Sequence, residues 1–584
     1  MISEPPNNSQ QTTRIRRIGV AALVTFAIGC AFLIQRPGWA QTSNFLLTRA
    51  LSTGTSQIDA DQRQTGDKSW IRGHFYSVKA PGMPGLLVLP YIALKAAGFE
   101  QLSRSTATIN QVLTLPQKIT PAQLAAGAAA QRPPQVARQI REERLTIWAL
   151  GLFGCVLPAL ILLFLVRRDA ERLVAGVGTA TAVVLGISTL VLPFTTQLFG
   201  HVLAAMLLYL GFHLLMRERR APAKLPLVLL AGLIVGLAVV VEYPMAFGGA
   251  VIGLYAMLRG GADGGRALAA LRRGATFAAG VVVGLVPLAI YNQLSFGSVT
   301  QMSYSSAVAV EGRSGHDVLG LNDSGFFGIG MPNPVSLVDI LLSPRGLLSI
   351  TPICLIAVIG LVWMHRAGRR AESLTIAGVV AIYLIYVAGY WLPFGGDSPG
   401  PRFLVAILPF IALGLPYAWK KIPAATIVLS GASATIMVVA SMVGPLTKPS
   451  GIGVWWSRIA GGPKITTVFT LLGAPSGLPS TLPVYLVFVL VAALAAAATY
   501  LPRLGEGRDL PIAAAAVIGW LILALFVSPA IGERKILPGR AAVGLPYQLV
   551  IGAAVAGLAA LAVLLLVKRS QGRHAAGSSG AVIR

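Results

Sequence analysis

Charge is what this chain lacks most. Only 12% of its 584 residues are Asp, Glu, Lys or Arg, about half the share of an ordinary soluble domain. Acid is scarcest, with 21 Asp and Glu against 47 Lys and Arg. Cysteine is nearly absent. Cys30, Cys155 and Cys354 each lie inside an apolar run, and none forms a CxxC or other metal spacing. There is no HxxxH or HExxH among the 6 histidines, so no metal site is signalled. No Gly-rich phosphate loop follows a strand-like run, and no stretch is long enough for a nucleotide-binding Rossmann unit.

What fills the chain instead is hydrocarbon. It is 55% hydrophobic, its mean hydropathy is +0.72, and apolar runs recur from end to end. In lipid every backbone amide needs an internal partner, and continuous rather than alternating runs select helices over a barrel. The fold class is an all-α polytopic membrane protein with about 14 (13–14) transmembrane helices. A long first loop carries interfacial helices. The net charge of +26 would suggest nucleic acid in a soluble protein. Here the cations cluster at the ends of apolar runs, as membrane topology requires.

In chain order, 1–17 reads as a cytoplasmic tail, with Arg14, Arg16 and Arg17 leading into a first span at 18–35. A signal peptide cleaved near Ala40 is the alternative to an uncleaved first span. Further spans are expected at 145–166, 172–193, 200–216, 225–243, 245–258, 274–293, 347–365, 372–392, 403–419, 424–443, 482–500, 511–529 and 545–567. The stretch 83–99 is apolar but carries Pro84, Pro90 and Lys95. If it lies in the interface, the clusters Arg167/Arg168, Arg217/Arg219/Arg220, Arg272/Arg273, Arg366/Arg369/Arg370 and Lys420/Lys421 all face the cytoplasm. That choice makes 36–144, 294–346, 393–402, 444–481 and 530–544 external. It divides the chain into a transmembrane module at 18–443 that holds the long first external loop, a C-terminal loop and helices at 444–567, and a disordered cytoplasmic tail at 568–584.

Polar chemistry concentrates in the first loop, in GTSQIDADQRQTGDKSWIRGHFYSVKAPGMP from Gly54 to Pro84. Asp59, Asp61 and Asp67 are candidate general bases, in the order Asp59, Asp67, Asp61; a carboxylate can take a proton from an attacking hydroxyl. Lys79, Arg402 in GGDSPGPRF and Arg345 in LLSPRGLL are cations on the external side, against the inside bias, and suit an anionic headgroup. Trp70, His74 and Tyr76 are candidate substrate contacts or belt aromatics. Glu242 and His201 end and begin apolar runs at the same face, and Asp397 lies in the loop before Arg402; these three are placed with the substrate contacts.

The ordered set FGHVLAA, VEYPMA, PLAIYNQLSFGS, LLSPRGLLSITP and GGDSPGPRFLVAILPFIAL, after GHFYSVKAPGMPGLLVLP, resembles the GT-C superfamily of membrane glycosyltransferases over about residues 15–420. It is most similar to the bacterial relatives of protein O-mannosyltransferase and of the lipid A aminoarabinose transferase. The resemblance implies sugar transfer from a polyprenyl-phosphate donor to an acceptor hydroxyl on the outer face of a bacterial inner membrane. The acceptor is a cell-envelope glycan, lipid or protein. An Asp acts as base in an inverting displacement that uses no metal and no cofactor. One departure stands out: where many members carry an Asp–Glu pair after the first span, this chain reads WAQTSNFLL. A transporter or flippase of a lipid-linked sugar would use the same cations without a catalytic carboxylate.

Overall fold

A computed structural model describes residues 8–106, 134–220, 224–258, 266–308, 328–396, 398–446, 455–460, 465–501, 504, 506–532 and 545–580. Helices dominate. Nine are long and apolar enough to cross a membrane among the described residues, from Arg138–Leu173 to Tyr547–Val567. A tenth is reached if Pro334–Ile350 and Ile353–Arg366, bent by 89° at Pro352, act together. The chain is a polytopic helical membrane protein, with nine or ten full-length candidate spans among the described residues.

Some expected spans are broken or short. The run at 172–193 becomes Gly178–Ile187 and Val191–Thr195. Between them the Thr189 hydroxyl donates to the Leu185 carbonyl (2.5 Å) and accepts from the Val191 amide (3.2 Å), competing with the helical ladder. The spans expected at 225–243 and 245–258 are two separate helices, Leu225–Val241 and Met245–Met257, each shorter than the roughly 20 residues a span needs. Glu242 is extended (φ −147°) and Pro244 opens the next helix. Residues 83–99 form only Gly82–Leu86 and Val88–Ala96, the longer of 9 residues where a span needs about 20. Leu86, Leu89 and Ile92 are exposed. The segment begins and ends at one end of the bundle: Gly82 abuts the Val240 backbone, and Ser103 donates to the Glu142 carbonyl.

The five basic clusters gather at the other end. Arg167 reaches the Arg16 carbonyl (3.3 Å), Arg273 grips Glu218 through two nitrogens (3.0 and 2.8 Å), and Arg219 stacks on Tyr255. The loops therefore share one end and the arginines the opposite one.

Helix contacts rely on glycine at one seam above all. A Cβ on Gly232 would lie 2.0 Å from the Phe277 carbonyl oxygen, and one on Gly236 2.4 Å from that of Val281. In return, a Cβ on Gly280 or Gly284 would strike the Leu229 or Leu233 carbonyl. The two helices, Leu225–Val241 and Arg266–Phe296, interlock backbone to backbone through paired GxxxG steps, the packing that replaces hydrophobic drive in lipid. Pro287 follows within a turn of Gly284 inside the second helix, where it interrupts the ladder and lets the axis bend away.

Short strands organise the loop end, a feature absent from the sequence-based reading. β1 (Leu33–Ile34) pairs antiparallel with β5 (Thr466–Thr467), and β2 (Lys68–Ile71) lies between β3 (His74–Ser77) and β4 (Ala307–Val308). The β2–β3 turn has positive φ at both central residues, Arg72 (51°) and Gly73 (84°), the geometry of a type I′ hairpin.

Candidate functional site

The hairpin register makes the first half of the site. Lys68 pairs with Ser77, so Asp67 and Lys79 leave the open end of the ladder side by side. Asp67 Oδ2 meets Lys79 Nζ at 2.6 Å, with both side chains mostly buried. Thr65 Oγ1 accepts from the Asp67 amide (3.0 Å), and Ser77 Oγ accepts from the Lys79 amide (3.0 Å). Ser43 pins this unit to the Trp39–Ser52 helix. It donates to the Asp67 carbonyl (2.6 Å) and lies 2.7 Å from Ser77 Oγ. The helix reading WAQTSNFLL thus carries no acid but a buried polar face. From it Gln41 donates to the Gln197 side chain (2.8 Å), just before the next site element.

Helix ends make the second half. His201 opens the Gly200–Arg219 helix and is 5% exposed. Its Nδ1 lies 3.3 Å from Glu242 Oε1. Glu242 fits there because residue 200 is glycine; a Cβ would stand 2.7 Å from that same oxygen. Gly82 packs on the backbone of Val240 and Val241, bringing the Lys79 loop against the Glu242 break. Arg402 approaches from the third side, with its guanidinium over the rings of Phe199 (5.5 Å) and Phe403 (5.3 Å). The charges of Lys79 and Arg402 both act on Glu242 and on His201. The Nε2 of His201 and the Nε of Arg402 are buried with no hydrogen-bond partner among the described residues.

Aromatics complete the enclosure. His201 stacks on Phe199 (5.5 Å, 13°), and Phe403 contacts Tyr386 and Tyr390 edge-on. The Tyr304 and Tyr390 hydroxyls bond to each other, and Trp391 Nε1 donates to Tyr304 (3.1 Å). Tyr304, on the loop turn Ser303–Ser306, lies within reach of the charges on Asp67 and Arg402; burial, above all, pushes its phenol above the ordinary range, so it keeps its proton at neutral pH.

Beside this cluster opens a cavity of about 720 Å³. Leu203, Leu207, Leu237, Val240 and Ile290 form its aliphatic walls, while Tyr76, Ser56 and Ser295 add hydroxyls. Leu86 and Leu294, 54% and 82% exposed, form an outward apolar rim. Pro287 lines it directly above the glycine seam.

The remaining candidates lie elsewhere or do other work. Asp59 is on the exposed side of the hairpin, where it takes His74 Nδ1 (2.8 Å) and the Phe75 amide (2.6 Å). Asp61 is held by Arg49 (2.6 Å), which also grips Glu143 (2.7 Å). Neither shares a described contact with Lys79 or Arg402. Trp70 is half exposed and tilts on Phe75 (4.5 Å), whereas Tyr76 is buried against Phe296 (5.1 Å). Arg345 is fully buried; it donates to the carbonyls of Gly396 (3.2 Å) and Ser398 (2.8 Å) and stacks over Phe394. It braces the loop that leads to Arg402. Asp397 lies outside the described residues. Sequence reasoning missed Ser43, Gln41, Tyr304, Tyr390 and Trp391. Of these only the tyrosine–tryptophan pair, crowded before GGDSPGPRF, offered a signal.

No protein-family model matches the chain, and no curated protein matches it. Among solved structures it is similar to the apo oligosaccharyltransferase of Archaeoglobus fulgidus, at 11% identity and a TM-score of 0.35 over 91% of this chain. The chain spans 64% of the length of that structure.

Proposed function

We propose that the chain is a membrane glycosyltransferase that moves a sugar from a polyprenyl-phosphate donor to an acceptor hydroxyl, without a metal, at the outer face of a bacterial inner membrane. One observation carries the reading: Lys79 and Arg402 act on one buried patch, next to Asp67, beside an aliphatic cavity lined by the neighbouring Pro81, Gly82 and Val241 and rimmed by exposed leucines. A donor with a hydrocarbon tail, a phosphate and a sugar needs these three environments in this order. The tail lies along Leu203, Leu207 and Leu237. Lys79 and Arg402 take the phosphate oxygens, with His201 Nε2 available to hydrogen-bond the phosphate or sugar.

In the reaction the acceptor oxygen attacks the anomeric carbon and the carbon–oxygen bond to phosphate breaks. The bond's electron pair leaves with polyprenyl phosphate, where both cations stabilise the added charge. The acceptor proton passes to Asp67, and single displacement inverts the anomeric centre. Lys79 orients Asp67 and faces the leaving group. Residues 18–443 hold every group used here, which fits a catalytic module followed by accessory helices at 444–567.

The test is incubation of the purified chain with a panel of polyprenyl-phosphate sugars. Release of polyprenyl phosphate with transfer of the sugar supports the reading. Asp67→Asn is expected to lower kcat by about 10²–10⁴-fold while donor binding persists. A protein that moves these donors between leaflets and never cleaves them is a transporter, and that result overturns the proposal.

A further inference from the structure

The arginine end of the bundle holds a second polar cluster that sugar transfer does not use. The Gly200–Arg219 helix has 20 residues, so its two ends lie about 30 Å apart. His201 belongs to the first site and Arg217, Arg219 and Arg220 to the far end.

The acids at that end are engaged inside the protein. Asp169 accepts from the Tyr209 hydroxyl (2.9 Å) and His213 Nδ1 (2.7 Å). Glu218 is taken by Arg273, and Glu372 accepts from the Tyr255 hydroxyl (3.2 Å). Around them stand Arg168, Arg172, Arg217, Arg219, Arg220 and Arg369, drawn from three separate stretches of chain. Arg172 faces the charges of Arg168, Arg217 and Arg220, with Asp169 at 3.7 Å. Arg220 and Arg369 both act on Tyr417. Arg219 lies over the Tyr255 ring (5.4 Å), and its Nη1 is buried with no hydrogen-bond partner among the described residues. Helix C-termini offset about half a charge each. Counted against Asp169 and Glu372, an excess of about two to three positive charges remains.

We infer that this cluster is a binding site for a phosphate-bearing anionic lipid headgroup, seated between Arg172, Arg219, Arg220 and Arg369 at the end of the bundle opposite the sugar site. Guanidinium groups suit phosphate because their paired N–H donors match its oxygens, and basic recesses between helix ends are where such headgroups lodge. The arginines also have a plain role in fixing topology, but topology needs only charge and not convergence on a buried, unpartnered nitrogen.

The experiment measures binding of phosphatidic acid and of phosphatidylcholine to the full-length chain in detergent, by thermal stabilisation and by retained lipid. Inorganic pyrophosphate is the third probe. Saturable binding of phosphatidic acid over phosphatidylcholine is expected. Arg219→Gln with Arg220→Gln should weaken it about thirtyfold, at roughly fivefold per arginine. Arg272→Gln with Arg366→Gln removes equal charge from exposed positions at the same end and should change it less than about threefold. If the first pair does not fold, Arg172→Gln with Arg369→Gln replaces it. Equal losses from the cluster and control pairs, or no preference for the anionic lipid, overturn the inference. Pyrophosphate binding with the same variant pattern supports the phosphate chemistry and assigns it to a soluble source. None of these readouts requires sugar transfer, so the two proposals fail separately.

Discussion

Asp59 and Asp67 are eight positions apart and equally acidic on paper, yet they sit in different chemistry. Asp67 is turned onto Lys79 by the ladder register, and Asp59 is spent on His74 and the Phe75 amide. Turnover should therefore separate them: Asp67→Asn falls by orders of magnitude, and Asp59→Asn stays within about threefold of the parent, as for a side chain that only braces a turn. Equal losses would remove Asp67 from its role. Arg402 carries a second contrast. In the proposed reaction its loss removes a charged contact to phosphate worth about 1.5–3 kcal/mol, so Arg402→Ala should reduce kcat/KM by about 10–150-fold. Gly395 has φ +74°, and a Cβ there would lie 2.2 Å from Arg402 Nε. Gly395→Ala should reproduce most of that kinetic loss while Arg402 is still present, measured as kcat/KM in the same assay. Residue types were legible in the sequence: the cations Lys79 and Arg402 and the pair His201 and Glu242 were found from their unusual places in apolar surroundings. Which aspartate joins them was not, because a two-residue turn decides it and Arg72 is not a residue from which a type I′ turn is read.

At the scale of the helix, composition told where hydrocarbon begins and ends but not whether a run is one rod or two. Thr189 divides a run of span length, whereas the Glu242–Tyr243–Pro244 step falls between two runs already read as separate, and it is what delivers Glu242 to the site. The glycine seam was invisible for the opposite reason. Gly232, Gly236, Gly280 and Gly284 look like four of many glycines until two backbones are seen in contact. Gly236→Leu or Gly280→Val forces backbone against side chain where 2.4 Å and 2.1 Å are available to a Cβ. Such overpacking should cost at least about 1–3 kcal/mol, read as a lower melting temperature and lower yield of monodisperse protein in detergent. Gly519→Leu, at a helical glycine whose Cβ would meet nothing within 4 Å, serves as the control and should leave both unchanged.

Across the whole molecule the two ends differ in kind. One gathers the strands, the short helices, the aromatics and the acids of the site; the other gathers arginine and lysine. The sequence implied this division through the spacing of its basic clusters, and the segment 83–99 keeps to it by returning to the end it leaves. Sidedness can be read chemically. Cys30, Cys155 and Cys354 are all buried, so an added thiol reports alone. Thr55→Cys should react with a membrane-impermeant maleimide on intact cells, and Arg370→Cys only after permeabilisation. The reverse pattern would put the sugar site on the cytosolic side.

The pinch between Leu225–Val241 and Arg266–Phe296 has a mechanical corollary. With carbonyls lodged where side chains would be, neither rod can slide or roll past its neighbour. Under the proposed function, admitting a donor's tail to the space above is then left to the segment beyond Pro287, swinging like the free arm of a clothes-peg whose spring is four hydrogen atoms wide.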